Sequence, residues 1–286
     1  MIDILRKRLE SYSTTDARQE EQALKEILQE VALYGLWRAD FFAVAAFQGG
    51  TCLRILHGLP RFSEDLDFIL RTPDRKFQWN PFFETLEMVM AEFGIRCELA
   101  DRGNMDRAVR QAILKDDSFA GQLNLSFFSS QNKRKLKIKL KIDTQPPDGS
   151  EFKYHYLDFP LDFELCAQTL SSNFSLKTHA LLCRPYIKGR DWFDFNWYVS
   201  QNVIPDLPLL ENALHQYGPW SGKSIHIDHD WLNTALSERI RSIDWKKAAE
   251  DVAPFLPDVF QQSLRLWSRQ FFIEKLATLI KKIQIP

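Results

Sequence analysis

Over residues 16–37 the apolar positions Ala23, Leu24, Ile27, Leu28, Val31 and Leu36 recur at helical spacing among Glu and Gln, which predicts an amphipathic helix. The almost wholly apolar run 41–47 then predicts a buried strand or helix end, closed by a tight loop at Gly49-Gly50, after which residues 51–56 can form a short helix. Over residues 64–70 the period falls to two. Leu66, Phe68 and Leu70 alternate with Asp65, Asp67 and Ile69, so a strand here turns both aspartates to one face. A helix at about 82–93 and a strand at 95–99 follow, stopped by a polar, glycine-containing stretch through Asp106.

Residues 123–127 and 136–143 read as two strands joined by the polar turn 129–134, a hairpin. After Pro146-Pro147-Asp148-Gly149 the pattern changes, and from about Leu161 onward helical periodicity prevails, with long helices at 230–249 and 259–283. No internal repeat or low-complexity segment stands out. The reading is α+β: a mixed sheet with flanking helices over residues 1–160, then a mainly helical domain over residues 161–286.

Composition narrows the class of protein. A chain of 286 residues, 45% hydrophobic, can bury the cores of two modest domains. Its 37 Lys and Arg against 38 Asp and Glu leave a formal charge of -1, so any basic surface for nucleic acid or membrane must be local. The four cysteines, at 52, 97, 166 and 183, form no C-x-x-C pair and read as reduced thiols. The first residues lack the apolar core of a signal peptide, and no apolar run reaches the roughly 18 residues a membrane span needs. The expectation is a soluble cytoplasmic protein without a membrane partner.

Three features can carry chemistry. Asp65 and Asp67, side by side on a strand, can hold one or two divalent ions; magnesium suits them, because it combines a few carboxylates with phosphate oxygens and water. Gly49 and Gly50 permit positive φ, and Thr51 can open a helix, so the loop before the strand can present N–H groups to phosphate. On the strand 135–143, Leu136, Ile138, Leu140 and Ile142 form an apolar face, while Lys135, Lys137, Lys139, Lys141 and Asp143 share the other. Beside Asp65 and Asp67 that strand would add Asp143 as a third carboxylate, with the lysines leading a phosphate-bearing substrate toward it. The competing reading of the lysines is a protected edge strand.

Gly49-Gly50-Thr51 followed by Arg61-Phe62-Ser63-Glu64-Asp65-Leu66-Asp67-Phe68 resembles the first motif of the AbiEii/AbiGii toxin family, within the DNA polymerase β-like nucleotidyltransferase superfamily. Lys177-Thr178-His179-Ala180, Arg184 and Gly189-Arg190-Asp191-Trp192-Phe193-Asp194 are similar to its later elements. The resemblance implies that Gly49 and Gly50, with Thr51, hold the triphosphate and that Ser63 lines the same place. It implies magnesium on Asp65 and Asp67, with Asp143 matching the third carboxylate as metal ligand or general base. It further implies that Lys177 and Arg184 contact phosphate. Asp191 or Asp194 would be the late acidic residue, Asp191 counted with the catalytic groups and Asp194 with those around the nucleotide. The implied reaction moves a nucleoside monophosphate from a nucleoside triphosphate to a macromolecule, RNA of the tRNA class, and the implied partner is a cognate antitoxin.

Other residues carry plainer readings. His226 and His229 lie beside Asp228 and Asp230, one of which reads as a helix N-cap. His57 and His179 read as polar packing residues, and Trp192, Phe193, Phe195, Trp197 and Tyr198 as core. Arg190 with Asp191 reads as an internal salt bridge. A protein hydroxyl or small molecule as acceptor, and a silent binding module, are the alternatives. A Rossmann dehydrogenase is disfavoured, because no G-x-G-x-x-G follows the first strand.

Overall fold

A computed structural model of the chain describes residues 1–102, 108–116, 123, 125 and 136–284. It divides the chain into two compact units, the first comprising Met1–Gly58, Phe62–Pro146 and Phe152–Ala167, and the second Leu59–Arg61, Pro147–Glu151 and Gln168–Pro286. Mixed α/β architecture is what the alternating periods predict.

The first unit is built on helices α1 (Ile2–Glu10), α2 (Ala17–Arg38), α3 (Gly49–His57) and α4 (Asn80–Glu92) and strands β1 (Ala45–Gln48), β2 (Asp65–Leu70), β3 (Cys97–Asp101), β4 (Val109–Asp116), β5 (Leu136–Asp143), β6 (Phe152–Leu157) and β7 (Phe163–Gln168). The strands form one mixed sheet in the order β3-β4-β5-β2-β1-β7-β6, so β2, bearing both aspartates, is central. It runs antiparallel to β1 and parallel to β5. Asp16 caps α2, its carboxylate accepting from the Gln19 N–H at 2.9 Å. Gly35 lets α4 approach α2 closely, since a Cβ there would meet Leu86 at 2.6 Å. Beneath the central strands Phe41, Phe47, Phe68 and Trp79 are fully buried, Phe41 and Trp79 stacked at 5.4 Å.

Several elements depart from expectation. The antiparallel neighbour of β5 is β4, a strand the reading passed over. The expected strand 123–127 lies outside the described residues except at Leu123 and Leu125, as do the turn 129–134 and Lys135. Helical structure does not take over at Leu161, because β7 follows and pairs in parallel with β1.

The second unit contains α5 (Leu170–Cys183), α6 (Gly189–Ser200), α7 (Leu207–Gln216), α8 (His229–Arg241), α9 (Trp245–Val252), α10 (Asp258–Gln261) and α11 (Arg269–Ile283). The two long helices expected here are each broken by a cap. Asp244 accepts from the Lys247 N–H at 3.1 Å and starts α9; Ser268 accepts from the Phe271 N–H at 3.2 Å and starts α11. Asp228 likewise caps α8, which accounts for the acidic neighbours of His226 and His229. Trp192 is buried against Trp245 and Phe272, and the aromatic run of α6 is core as read. No helix among the described residues is long and apolar enough to cross a membrane.

Candidate active site

The chemistry-bearing residues of the first unit share one face of the sheet. Through strand register, Asp65 lies across from Lys139 and Asp67 from Lys141 on β5, while Gln48 of β1 flanks Asp67 on the other side. The opposite face is closed by Leu66, Phe68, Leu136, Ile138, Leu140 and Ile142, all buried, so the polar face is what remains for a ligand. β4 extends it, with Lys115 across from Lys137 and Ile113 across from Lys139. Because β5 lies between β4 and β2, its lysines do not protect an edge, and that reading is withdrawn.

Asp143 sits one alternate position farther along this face, across from Ile69 rather than from either aspartate. Its Oδ1 accepts from the Gln145 N–H at 2.9 Å, and burial pushes its carboxyl above the usual range. Among the described residues no three His, Cys, Asp or Glu side chains gather as a metal cage. Asp65 and Asp67 stand side by side on β2, and Asp143 lies farther along β5, across from Ile69. Lys141 Nζ donates to Asp65 Oδ2 at 2.5 Å, with both side chains about a third exposed at 31% and 28%.

Gly49 has φ +77°, and a Cβ placed on it would lie 3.0 Å from Asp67 Oδ2. Glycine is required there twice over, for the backbone angle and for the carboxylate that approaches it. The Gln48 side chain does not cap α3; it donates to the Phe68 carbonyl at 3.0 Å. Thr51 is fully buried and gives its hydroxyl to the Asp65 carbonyl, so its hydroxyl fixes α3 to β2 and only its backbone faces the loop's task. Both flanks of this segment are tied to α2. Arg54 of α3 reaches Glu26 at 2.9 Å and covers the Phe62 ring at 4.5 Å, and Gln29 donates to the Ser63 carbonyl at 3.0 Å. Sequence reading missed this anchoring, whose one signal was buried-looking Glu and Gln inside an apolar helix. Arg8 holds the neighbouring Glu30, whose carboxyl burial nevertheless raises to about 7.

The later motif residues meet in the second unit. Lys177 of α5 lies 2.8 Å from Asp191 Oδ1 and 2.9 Å from Asp194 Oδ2, both on α6. Arg61 grips Asp194 with two parallel bonds, Nε to Oδ1 at 2.6 Å and Nη2 to Oδ2 at 2.7 Å, and Arg184 pairs with Asp191. Asp194 is fully buried and Asp191 nearly so. Burial opposes ionisation of Asp191, but Lys177, Arg184 and Lys188 outweigh it and hold the carboxyl down to about 2. The cations answer in kind: burial works against the Lys177 ammonium, and Asp191 and Asp194 more than restore it. Arg190 covers the Phe255 ring at 4.1 Å. Arg61 was quoted in the motif but given no role, and nothing in the sequence tied it to Asp194, 133 positions away. His179 packs as read, its Nε2 3.1 Å from the Tyr217 carbonyl, and His57 packs edge-on to His155.

The sequence pattern of the Nucleotidyl transferase AbiEii toxin family, Type IV TA system, matches residues 31–275. The chain belongs to that family. Membership makes this chain a nucleotidyltransferase-family toxin of a type IV toxin–antitoxin system, and it implies an antitoxin partner. Two solved structures are similar in fold: a protein from Helicobacter pylori described as a nucleotidyltransferase, and JHP933 from Helicobacter pylori. Each is 19% identical to the chain with a TM-score of 0.50; the first covers 90% of this chain and 91% of its own, the second 93% and 91%. No curated protein matches the sequence.

Proposed function

We propose that this AbiEii-family chain transfers a nucleoside monophosphate from a nucleoside triphosphate to RNA, of the tRNA class, in the cytoplasm, with magnesium held by Asp65 and Asp67. The observation that carries the reading is the 3.0 Å separation between Asp67 Oδ2 and the position of a Cβ on Gly49. A phosphate received at the N-terminus of α3 would stand beside a carboxylate, and the two repel unless a divalent cation lies between them. Two carboxylates on one strand face fit that cation, because magnesium completes its shell with phosphate oxygens and water rather than with an all-protein cage. When bound it would offset the charge of the triphosphate and make the acceptor hydroxyl more acidic.

The chain's own groups supply the rest. Gly49, Gly50 and Thr51 offer backbone N–H groups to the phosphates, and the buried Thr51 hydroxyl keeps that turn in register with β2. Ser63, its carbonyl held by Gln29, lines the approach. Asp143, with its carboxyl raised by burial, suits a general base for the acceptor hydroxyl. In the second unit Asp191 would be the acidic residue that holds Lys177 and Arg184, while Asp194 is gripped by Arg61 and also meets Lys177. The exposed Lys137 and Lys139 favour a polyanionic acceptor.

Labelled nucleoside triphosphates, magnesium and total RNA, incubated with the protein and with Asp65→Ala/Asp67→Ala, test this. The expected result is label in RNA at the wild-type level only with both aspartates intact, with a loss of about a thousandfold or more in the double variant. Label in protein or a small molecule would replace the acceptor. No label anywhere, with no magnesium-dependent triphosphate binding, would leave a silent binding module.

A further inference from the structure

We infer that Lys141 is a positioning residue that pairs with Asp65 when no metal is bound and turns to the triphosphate when the metal arrives. The inference rests on the metal assignment above and adds to it a coupling between metal and nucleotide. Three observations carry it. Lys141 stands across from Asp67 in the strand register, yet its ammonium reaches back to Asp65 Oδ2 at 2.5 Å, so its side chain leans from one aspartate's position to the other's carboxylate. Lys139, directly across from Asp65, is exposed, so nearness in register alone does not select the partner. Neither Lys141 nor Asp65 is sealed in, at 31% and 28% exposure, so the contact can open without unpacking the core.

An ammonium and a divalent ion at the same carboxylate repel each other and compete for its charge. A metal ion entering alone meets the Lys141 charge and gains less than the aspartates would otherwise give it. A metal ion entering with a triphosphate brings negative charge that receives the displaced ammonium. Lys141 thus makes free metal bind weakly and the metal–triphosphate bind well, and because coupling is reciprocal, each ligand raises the affinity of the other. Without it, Asp65 loses this counter-charge, which favours a cation that arrives there.

The test measures two affinities that should move in opposite directions. Free Mn2+ is followed by its electron paramagnetic resonance signal without nucleotide, and labelled inorganic triphosphate by equilibrium dialysis at saturating magnesium. In Lys141→Met, Mn2+ should bind about three- to tenfold tighter and triphosphate weaker by a similar factor. Lys141→Arg should stay near wild type in both, and Lys141→Gln, a second neutral variant, should repeat the Met result should Met disturb packing. General damage to the site would weaken both affinities together, and that outcome overturns the inference, as does unchanged Mn2+ binding. Asp65→Asn/Asp67→Asn separates the two readings. If wild type binds Mn2+ no better than this variant, the metal assignment fails and the inference with it; if it binds better but Lys141→Met matches wild type, the inference alone fails.

Discussion

Both units hold aspartates paired with lysine or arginine, but in opposite settings. On the sheet face, Asp65 and Lys141 are each about a third exposed. In the helical unit, Asp194 is at 0% and its partner Arg61 at 4%, with Lys177 at 12%. Exposed pairs contribute little to stability because water competes for both charges, whereas a buried charge depends wholly on its partner. The same residue types therefore give a pair that opens at little cost in one place and a fixed one in the other. Ligand exchange belongs where pairs are cheap to open, and orientation where they are not.

The largest effect that can break this comparison is on stability. Asp194→Ala leaves Arg61 and much of Lys177 buried without their shared counter-charge and should lower unfolding free energy by about 3–5 kcal/mol. Asp65→Ala should change it by no more than about 1 kcal/mol while abolishing transfer. Urea unfolding of the two variants beside wild type measures both. Equal losses would mean that the two clusters are of one kind.

The same contrast explains what was legible in the sequence. A glycine pair and an Asp-x-Asp on a period-two strand are local patterns, and the structure sets Gly49 against Asp67 across one helix and the loop after it. Lys141 was seen as one lysine of a strip; which lysine meets Asp65 depends on the pairing of β2 with β5 and on how the side chains lean across it, neither of which periodicity specifies. Arg61 with Asp194 was invisible for the same reason. β4 escaped because its buried positions include Arg110 and Asp116, which read as surface when met singly. The broken helices of the second unit were written in Asp244 and Ser268, cap residues overridden in the reading by the apolar period around them.

A smaller effect should appear in acid. The Asp191 carboxyl is held at about 2, below its ordinary 3.8, so the folded protein binds this proton less readily than the unfolded chain. The stability this contributes is fully present above pH 3.8 and lost as pH falls through 3.8 to about 2, amounting to about 2 kcal/mol. Asp191→Asn should be less stable at neutral pH and should show a shallower decline across that window. Urea midpoints taken at intervals from pH 5 to pH 2 check it, and parallel slopes would show that the pairing with Lys177 and Arg184 does not set the acid response.

The smallest expected effect concerns the exposed lysines, which the comparison treats as surface charge for a polyanion. Lys137 and Lys139 stand on an interior strand, where edge protection has no purpose, and face outward beside Asp65 and Asp67. Neutralising both, as Lys137→Gln/Lys139→Gln, should leave folding and triphosphate binding unchanged. The dependence of log RNA affinity on log salt should become shallower by about 1.4 to 1.8, since each lost phosphate contact returns about 0.7 to 0.9 of a counterion. Titrations of total tRNA at several salt concentrations read this slope directly. A slope that does not move would mean that the acceptor's backbone does not cross the lysine row, and the row's charge would then serve the site by long-range attraction alone.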